Sequence, residues 1–324
     1  MRYQIGSIVW FYKLVMQRPH RWGCHVSSDG KDIARLAETI KAKGMSCFQI
    51  FFGGTKTDDR KKLTKEEAED LRTVLAREDI SFNTHYPYHL NLCRDEVSLS
   101  GLQTEINRVG AVGGRVVVHT GSCVHGNHAN RDLREMIVNQ YAASAEVPKK
   151  SAKFIQWESD WKQGADSLIK HVKTLEFAQG DRVVLLLEPP AGEGKKLGWH
   201  LKQIEYIFAH MPPQVGFCLD TCHAFAAGAC RFSSSEEVET FFADLGKALG
   251  GIHKLKLIHL NDSEGVFGSM KDLHASLTQG HIWNDEKHLD GLVSLWLLAQ
   301  KLNIDIVSEV GAQADIDVMR QLSQ

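Results

Sequence analysis

Short apolar runs rich in β-branched residues alternate along the chain with longer segments in which apolar residues recur every three or four positions. The short runs have the usual length of strands, and the longer segments have the period of amphipathic helices. Eight runs predict strands, at residues 22–26, 46–52, 80–84, 115–118, 183–187, 215–219, 256–258 and 304–308. Most of them are continuously apolar, which is typical of parallel strands buried on both faces.

The helical segments lie between these strands and number eight. They cover residues 31–43, 65–77, 99–112, 131–145, 165–179, 200–209, 235–249 and 286–301. Eight strands that alternate with helices over about 300 residues predict an α/β fold, a (β/α)₈ TIM barrel. The alternative is a doubly wound open sheet, but the chain has no G-x-G-x-x-G after its first strand and no G-x-x-x-x-G-K-[ST].

Two segments are additional to the strands, helices and short loops of a minimal barrel. Residues 1–21 precede the first strand and form an N-terminal extension. Residues 122–164, between the fourth and fifth strands, are too long for a simple loop and form an insertion. No shift in composition marks a linker. We therefore expect residues 22–324 to fold as one TIM-barrel domain that carries this insertion.

Composition narrows the class of protein. Of 324 residues, 43% are hydrophobic, which excludes a disordered or collagen-like chain. The 38 basic and 40 acidic residues give a net charge of −2, so any surface that binds phosphate must be local. The seven scattered cysteines are typical of reduced thiols in an intracellular protein.

Membrane insertion is not expected, because no apolar run approaches the ~18 residues of a membrane span. The first 28 residues are basic and contain no acid, as in organelle transit segments, but they are poor in Ser and contain a Trp-Phe-Tyr cluster. We therefore favour an intracellular protein over one directed to an organelle.

Residues that can bind a metal follow six consecutive strands at the point where each strand ends. They are His85, His119, Glu188, Asp220, His259 and Glu309. Active sites of TIM barrels lie at this end of the strands, so these side chains should converge. Three further candidates lie in the loops just beyond, namely His223, Asp272 and His274. Any one of them alone would be explained as a hydrogen-bonded or ion-paired polar residue, and the metal hypothesis rests on the whole set.

The nine candidates are five imidazoles and four carboxylates. Such a mixed donor set suits Zn²⁺, whereas Mg²⁺ and Ca²⁺ prefer oxygen ligands. With three or four ligands for each ion and one shared carboxylate, the set could hold three ions, and Mn²⁺ or Fe²⁺ could enter a more oxygen-rich position. Three divalent cations would outweigh four carboxylates and attract phosphate. His25 and other histidines show no spacing that indicates a ligand.

Five sequence blocks carry a resemblance to a known family. They are THYPYHLNL at 84–92, VHTGS at 118–122, EPPAGEG at 188–194, LDTCHAFAAG at 219–228 and HLNDS at 259–263, the last continuing to DLH at 272–274. Together they resemble the endonuclease IV family of apurinic/apyrimidinic endonucleases. The resemblance extends from about residue 22 to residue 309, and the block around residue 220 is highly specific.

The resemblance implies a zinc-dependent DNA-repair nuclease on a TIM barrel. Such an enzyme cuts duplex DNA on the 5′ side of an abasic site and leaves a 3′-hydroxyl and a 5′-deoxyribose phosphate. It implies three zinc ions, with Glu188 bridging two of them and both Glu188 and Glu309 serving catalysis. The ligand sets would be His85 and His119 for the first ion, Asp220, His259 and Glu309 for the second, and His223, Asp272 and His274 for the third.

A metal centre that activates water needs no side-chain nucleophile. The chain shows no Ser/His/Asp or Cys/His arrangement that would provide one. Cys222, although it is adjacent to the candidate ligand His223, is accordingly predicted to be a packed thiol.

Some positions that the resemblance assigns to DNA binding differ from the family. Tyr88 retains the aromatic residue that enters the DNA stack, but His89 replaces the aliphatic residue that acts as a wedge, so wedging should be weaker. Lys56 replaces an Arg in the loop after the second strand and lacks its bidentate geometry. The three residues remain predicted DNA contacts.

The insertion supplies further candidates, Lys149 and Lys150, for contact with phosphate. Lys153, Trp157 and Trp161 could also reach DNA, but we favour a surface subdomain whose indoles pack on the barrel. Lys195 and Lys196 after the fifth strand could add to the same positive field, although a lysine pair is usually a solvated turn.

Two rival functions stay open at this point. A metal-dependent sugar isomerase or epimerase uses a similar barrel but has no need of the third group of ligands. A protein that binds abasic DNA without cutting it is suggested by His89, but such a protein needs no bridged metal pair. We expect duplex DNA with abasic sites as the partner, and a monomeric chain.

Overall fold

Eight parallel strands close into a barrel in the computed structural model of the protein, which describes residues 20–28, 32–53, 63–126, 129–131 and 152–324. The strands are β1 (Trp22–His25), β2 (Cys47–Ile50), β3 (Ser81–His85), β4 (Arg115–His119), β5 (Leu185–Glu188), β6 (Val215–Asp220), β7 (Leu255–His259) and β10 (Asp305–Ser308). Their order around the barrel is β1-β10-β7-β6-β5-β4-β3-β2, with a parallel register at every pair. The predicted TIM barrel is confirmed, and each predicted strand is present with its ends shifted by a few residues.

A helix follows every barrel strand. The helices are α1 (Ile33–Ala42), α2 (Lys65–Glu78), α3 (Ser100–Ala111), α4 (Ala152–Thr174), α5 (Leu201–Phe208), α6 (Thr221–Ala227), α7 (Ser235–Leu249), α8 (Leu289–Lys301) and α9 (Gln313–Ser323). Two 3₁₀ turns span Ile252–Lys254 and Glu286–His288, and a two-stranded antiparallel sheet pairs β8 (Asp262–Ser263) with β9 (His274–Ala275). No helix among the described residues has both the length and the apolar character needed to cross a lipid bilayer.

Capping side chains define where several helices begin. Asp32 accepts hydrogen bonds from the first backbone N–H groups of α1, and Ser234 accepts one at the start of α7. At α2 the capping is reciprocal, since Thr64 binds the N–H of Glu67 and the Glu67 carboxylate binds the N–H of Thr64. These contacts satisfy donors that the helix itself leaves free.

The observed helices differ from the prediction in three places. The helix expected from residue 165 begins at Ala152, so the last part of the predicted insertion belongs to a barrel helix. The short helix α6, which follows β6, and the last helix, α9, which follows β10, were not predicted at all. Residues 132–151 and 1–19 lie outside the described part of the chain. The helix predicted at 131–145, Lys149, Lys150 and most of the N-terminal extension therefore lie outside it too.

The two tryptophans of the predicted insertion lie on α4 and pack against the barrel. Trp157 is 3% exposed and Trp161 4% exposed. The indole N–H of Trp157 donates to Asn130 Oδ1 at 3.2 Å, and the ring of Trp161 meets Tyr206 on α5 edge to face. Both indoles therefore support the fold and leave no face for DNA.

Inward-facing side chains fill the barrel in layers, because every second residue of a strand points to the inside. The lowest layer, near the amino ends of the strands, is polar. Arg115 on β4 forms an ion pair with Asp305 on β10, and its guanidinium also donates to Asn83 on β3 and to the carbonyl of Lys256 on β7. The Arg115 side chain thus ties four strands across the barrel.

The next layer is apolar and separates the polar floor from the upper end. Its members are in mutual contact and are Cys47, Val117, Leu186, Cys218, Leu257 and Val307. Two residues further along each of these strands lies the next inward position. Because the strands are parallel and in register, those positions form one layer at the carboxyl end of the barrel.

Gly23 on β1 is the inward residue at a point where β1 and β2 approach closely. A Cβ atom there would overlap the carbonyl oxygen of Cys47. Gly110 on α3, by contrast, has room for a methyl group, since the nearest atom is a methyl carbon of Val184 at 3.5 Å.

We expect Gly23→Ala to destabilise the protein by about 1–3 kcal/mol, because the extra methyl overpacks the barrel. Gly110→Ala should be neutral or stabilising by up to about 1 kcal/mol through helix propensity. Chemical denaturation of both variants measures this. Equal stability of the two would contradict the close approach at Gly23.

Candidate metal centre

One inward side chain from each of the eight barrel strands forms a ring at the carboxyl end of the barrel. Six of them are the last residues of their strands, and Glu309 directly follows β10. The ring consists of His25, Gln49, His85, His119, Glu188, Asp220, His259 and Glu309. The six strand-end candidates therefore meet at one place, and two further polar residues complete the circle.

Three groups of side chains in and beside this ring could hold a metal ion. Within each group, potential ligand atoms all lie within 4.8 Å of one another. The groups are His85, His119 and Glu188; then Glu188, Asp220, His259 and Glu309; and then His223, Asp272 and His274. The nine predicted residues are thus brought together in the expected sets, with Glu188 shared by the first two.

Glu188 lies at the centre and is fully buried. Its Oε2 is 3.0 Å from His85 Nε2 and 3.7 Å from His119 Nε2. Its Oε1 is 3.0 Å from His259 Nδ1. The two oxygens of one carboxylate therefore face two different groups, which is the geometry of a bridging ligand.

The third group is built from a helix and a loop. His223 lies in the first turn of α6, where its backbone N–H donates to Asp220 Oδ1 at 2.9 Å. Asp272 and His274 lie in the long connection from β7 to β10, which the small β8–β9 sheet holds in place. Asp272 Oδ1 is 3.1 Å from His223 Nε2 and 3.2 Å from His274 Nε2.

Hydrogen bonds select which ring nitrogen of three histidines can bind a metal. His85 Nδ1 lies 2.7 Å from the carbonyl of Tyr86, and His223 Nδ1 lies 3.0 Å from the carbonyl of Pro189. A carbonyl only accepts, so both Nδ1 atoms carry the hydrogen, and in the neutral rings each Nε2 presents a lone pair. Those lone pairs face the carboxylates of Glu188 and Asp272.

His259 has the opposite arrangement. Its Nε2 donates to Gln49 Oε1 at 2.9 Å, so in the neutral ring Nδ1 carries the lone pair and faces Glu188. The orientation of the Gln49 amide is fixed because its Nε2 donates to Glu309 Oε1 at 3.0 Å, and a carboxylate can only accept.

A nitrogen lone pair and a carboxylate that face each other repel each other unless a positive charge lies between them. His223 Nε2 and His274 Nε2 are buried and make no well-directed hydrogen bond, although each lies close to Asp272. These two nitrogens and an Asp272 carboxylate oxygen all lie within 4.8 Å of one another. Imidazole and carboxylate donors in this arrangement fit divalent metal ions.

The electrostatics indicate the same need for cations. Burial opposes a charge on His274, but the nearby carboxylates of Asp220 and Asp272 raise its pKa to about 9. Burial also opposes the charged form of Glu309, yet the charges of His259 and His274 lower its pKa to about 2. For His119 the effect of burial is larger than that of the nearby Glu188 carboxylate, and the pKa of His119 falls to about 3. Protons on some imidazoles would thus balance the carboxylates where no metal is bound.

Two residues with a role in this centre were missed in the sequence. Gln49 binds both His259 and Glu309, and Asn261 donates from Nδ2 to Asp220 Oδ2 at 2.8 Å and to Glu309 Oε2 at 3.2 Å. Both are buried. For Gln49, the signal in the sequence was a polar residue inside an otherwise apolar strand. For Asn261, it was the position two residues after a candidate ligand, His259.

Cys222 is a packed thiol in the structure. It is buried, and its sulfur lies 3.5 Å from the carbonyl of Leu273. Burial raises the pKa of this thiol well above its usual value, so it is a poor nucleophile. Its sulfur also lies near Asp220 and His274, and that of Cys218 near Glu188 and His259.

Comparison with known proteins identifies the family. The family model of the xylose isomerase-like TIM barrel matches residues 37–289. Endonuclease 4 of Thermus thermophilus is 31% identical over 270 residues, which cover 81% of this chain and 83% of that protein. A probable endonuclease 4 of Nitrosopumilus maritimus is 30% identical over 306 residues, which cover 91% of this chain and 95% of that protein. The chain belongs to the endonuclease IV family.

A solved structure agrees with this assignment. The crystal structure of endonuclease IV from Thermus thermophilus has a TM-score of 0.70 at 26% identity, with 93% of this chain and 97% of that chain covered. The match thus extends over nearly the whole of both chains. The resemblance to the endonuclease IV family that the sequence motifs indicated is therefore confirmed.

The positions that the endonuclease IV resemblance assigns to DNA lie in different surroundings. Tyr88 is 51% exposed at the rim of the centre, with its ring against those of His85 and His119. His89 is also exposed. Lys56 lies outside the described residues, as do Lys149 and Lys150. Contact with DNA stays a prediction for all five.

Asn261→Leu should weaken metal binding by about 10–100-fold, because it removes the two N–H donors that orient Asp220 and Glu309. Competition for Zn²⁺ between the protein and a chromophoric chelator measures this affinity. Asn107→Leu on the exposed side of α3 makes the same chemical change far from the ring and serves as the control. Equal affinity of the two variants would show that Asn261 does not orient the ligands.

Proposed function

We propose that this protein is a zinc-dependent endonuclease that hydrolyses the phosphodiester bond 5′ to abasic sites in duplex DNA. Its products are a 3′-hydroxyl and a 5′-deoxyribose phosphate. The observation that carries this proposal is the presence of three metal-capable groups, two of them sharing Glu188, in a member of the endonuclease IV family.

The third group favours this proposal over a sugar isomerase or epimerase. Such enzymes need one metal site of carboxylates and histidine, which the first two groups already exceed. His223, Asp272 and His274 add a further set of donors on the side that opens to solvent. A set of this size is suited to a substrate that gains negative charge as it reacts, such as a phosphodiester under attack by water.

The protein residues have separate tasks in this reaction. His85, His119 and Glu188 would hold one ion; Glu188, Asp220, His259 and Glu309 a second; and His223, Asp272 and His274 a third. When bound, the three ions lower the pKa of a water molecule and neutralise charge on the phosphate. Glu188 aligns the first two groups through its two oxygens, and Gln49 and Asn261 keep the surrounding ligands in place.

Tyr88 has a different task at the rim. Its ring is braced edge to face by His85, His119 and Phe51, so it projects from a fixed base. An aromatic ring that is half exposed beside the metal groups can stack on the bases that flank an abasic site. Recognition of the damaged duplex is therefore assigned to this residue, with His89 beside it.

Glu188→Gln should lower the rate of incision by at least about a hundredfold. Loss of a residue that only orients a metal ligand already lowers activity by up to about that factor, and Glu188 is itself a proposed ligand. The change keeps the volume of the side chain but removes the charge that the first two groups share. Incision of a labelled duplex with one abasic analogue, beside an undamaged duplex, measures it. Glu239→Gln on the exposed side of α7 is the control.

If the wild-type protein cut both duplexes equally or neither of them, the proposed function would be wrong. Damage-dependent binding without cutting would favour a protein that only holds abasic DNA. Full activity of Glu188→Gln would contradict the shared-carboxylate mechanism.

Tyr88→Ala should weaken binding of the abasic duplex by about 1–3 kcal/mol through lost stacking, and should leave binding of the undamaged duplex much less affected. Tyr88→Phe keeps the ring and should behave like the wild type. Fluorescence anisotropy with both duplexes measures the difference. A loss in Tyr88→Phe as large as in Tyr88→Ala would assign the effect to the hydroxyl group and not to stacking.

A further inference from the structure

A cavity of about 420 Å³ opens beside the metal groups. Its wall contains His119 from the first group and Asp272 from the third, so it borders both. Tyr88 lines one part of it and Lys196 another. Among the described residues that line this cavity, Lys196 is the only lysine or arginine.

The backbone of Lys196 is held firmly. It forms a β-bridge with Ser122, which joins the loop after β5 to the loop after β4. Its carbonyl accepts a hydrogen bond from Asn130 Nδ2 at 2.9 Å, and its N–H donates to the carbonyl of Glu193 at 3.1 Å. The neighbouring Leu197 N–H donates to the Gly121 carbonyl at 3.0 Å. The Lys196 side chain therefore starts from a fixed point at the cavity.

The two adjacent lysines do different things. Lys195 Nζ donates to the carbonyl of Gly126 at 2.9 Å and reaches that of His125 at 3.4 Å, so it holds the loop after β4. Lys196 Nζ pairs with the Glu193 carboxylate. The pair is therefore more than a solvated turn, and of the two lysines only Lys196 lines the cavity.

The ion pair of Lys196 can be exchanged for another anion. The side chains of Lys196 and Glu193 are 35% and 30% exposed, and ion pairs with such access to water contribute little to stability. Both side chains leave the same short loop, three residues apart. A lysine ammonium on its four-carbon stem can turn from a carboxylate to a phosphate without movement of the backbone.

We propose that Lys196 leaves Glu193 and binds a backbone phosphate of the DNA strand that occupies this cavity. This inference rests on the proposed function and adds a residue that determines how the substrate is held. With the ions bound, the metal groups would neutralise the phosphate under attack, and Lys196 is the lining side chain that can neutralise a neighbouring phosphate. Glu193 pairs with the ammonium until the phosphate arrives.

The test is the salt dependence of binding. Lys196→Met in the zinc-loaded protein should make the slope of log Kd against log salt less steep by about one, as expected for one lost phosphate contact. The ligand is a duplex with one abasic analogue and a phosphorothioate on its 5′ side, which resists cutting. Fluorescence anisotropy over a series of salt concentrations gives the slopes.

Lys247→Met is the matched control. Lys247 is 78% exposed on α7 and pairs with an acidic residue three positions earlier, Asp244, as Lys196 does with Glu193. Its removal makes the same change of charge outside the cavity and should leave the slope as in the wild type. Glu193→Gln frees the ammonium and should tighten binding a few-fold.

Parallel slopes for Lys196→Met and the wild type would overturn the inference, while damage-dependent incision by the wild type would leave the proposed function intact. Equal flattening by Lys247→Met would also overturn it, since the effect would then be one of net charge. A wild-type protein that neither binds nor cuts the abasic duplex would overturn both proposals. Thermal unfolding of each variant confirms that it is folded.

Discussion

Buried negative charge at the carboxyl end of the barrel is the feature on which the rest of the centre depends. Glu188 and Asp220 are almost fully removed from water, where an isolated carboxylate would be very unfavourable. Imidazoles surround both of them, and Asp220 also accepts hydrogen bonds from the Asn261 amide and from the backbone N–H of His223. Three of those imidazoles have one nitrogen engaged by an oxygen acceptor, so the other nitrogen faces carboxylates, and a proton or a metal ion between them would balance the charge.

The barrel accounts for why these groups meet. Parallel strands in register place one inward side chain from each strand in the same layer, and that layer lies two residues above an apolar one. Below it, Arg115 and Asp305 tie opposite strands together. The ion-paired layer thus lies at the floor of the barrel and the candidate metal centre at its upper end, as TIM barrels generally separate stability from chemistry.

Much of this could be predicted from the sequence, because the strands are short apolar runs and six of the nine candidate ligands stand where such a run stops. Gln49 was missed since glutamine is not a usual metal ligand, and inward alternation becomes visible only when the register is known. The helix α9 was missed because Ile316, Met319 and Leu322 are too few to stand out in a short polar segment. The start of α4 was misplaced because the end of the predicted insertion and the barrel helix form one continuous helix. The separate tasks of Lys195 and Lys196 follow only from contacts between loops that are distant in sequence.

The most direct test of the account is anomalous diffraction at the zinc absorption edge from crystals of the protein grown with zinc. Three peaks are expected. One should lie among His85, His119 and Glu188, one among Glu188, Asp220, His259 and Glu309, and one among His223, Asp272 and His274. A single peak, or peaks away from Glu188, would contradict a metal centre organised around that shared carboxylate.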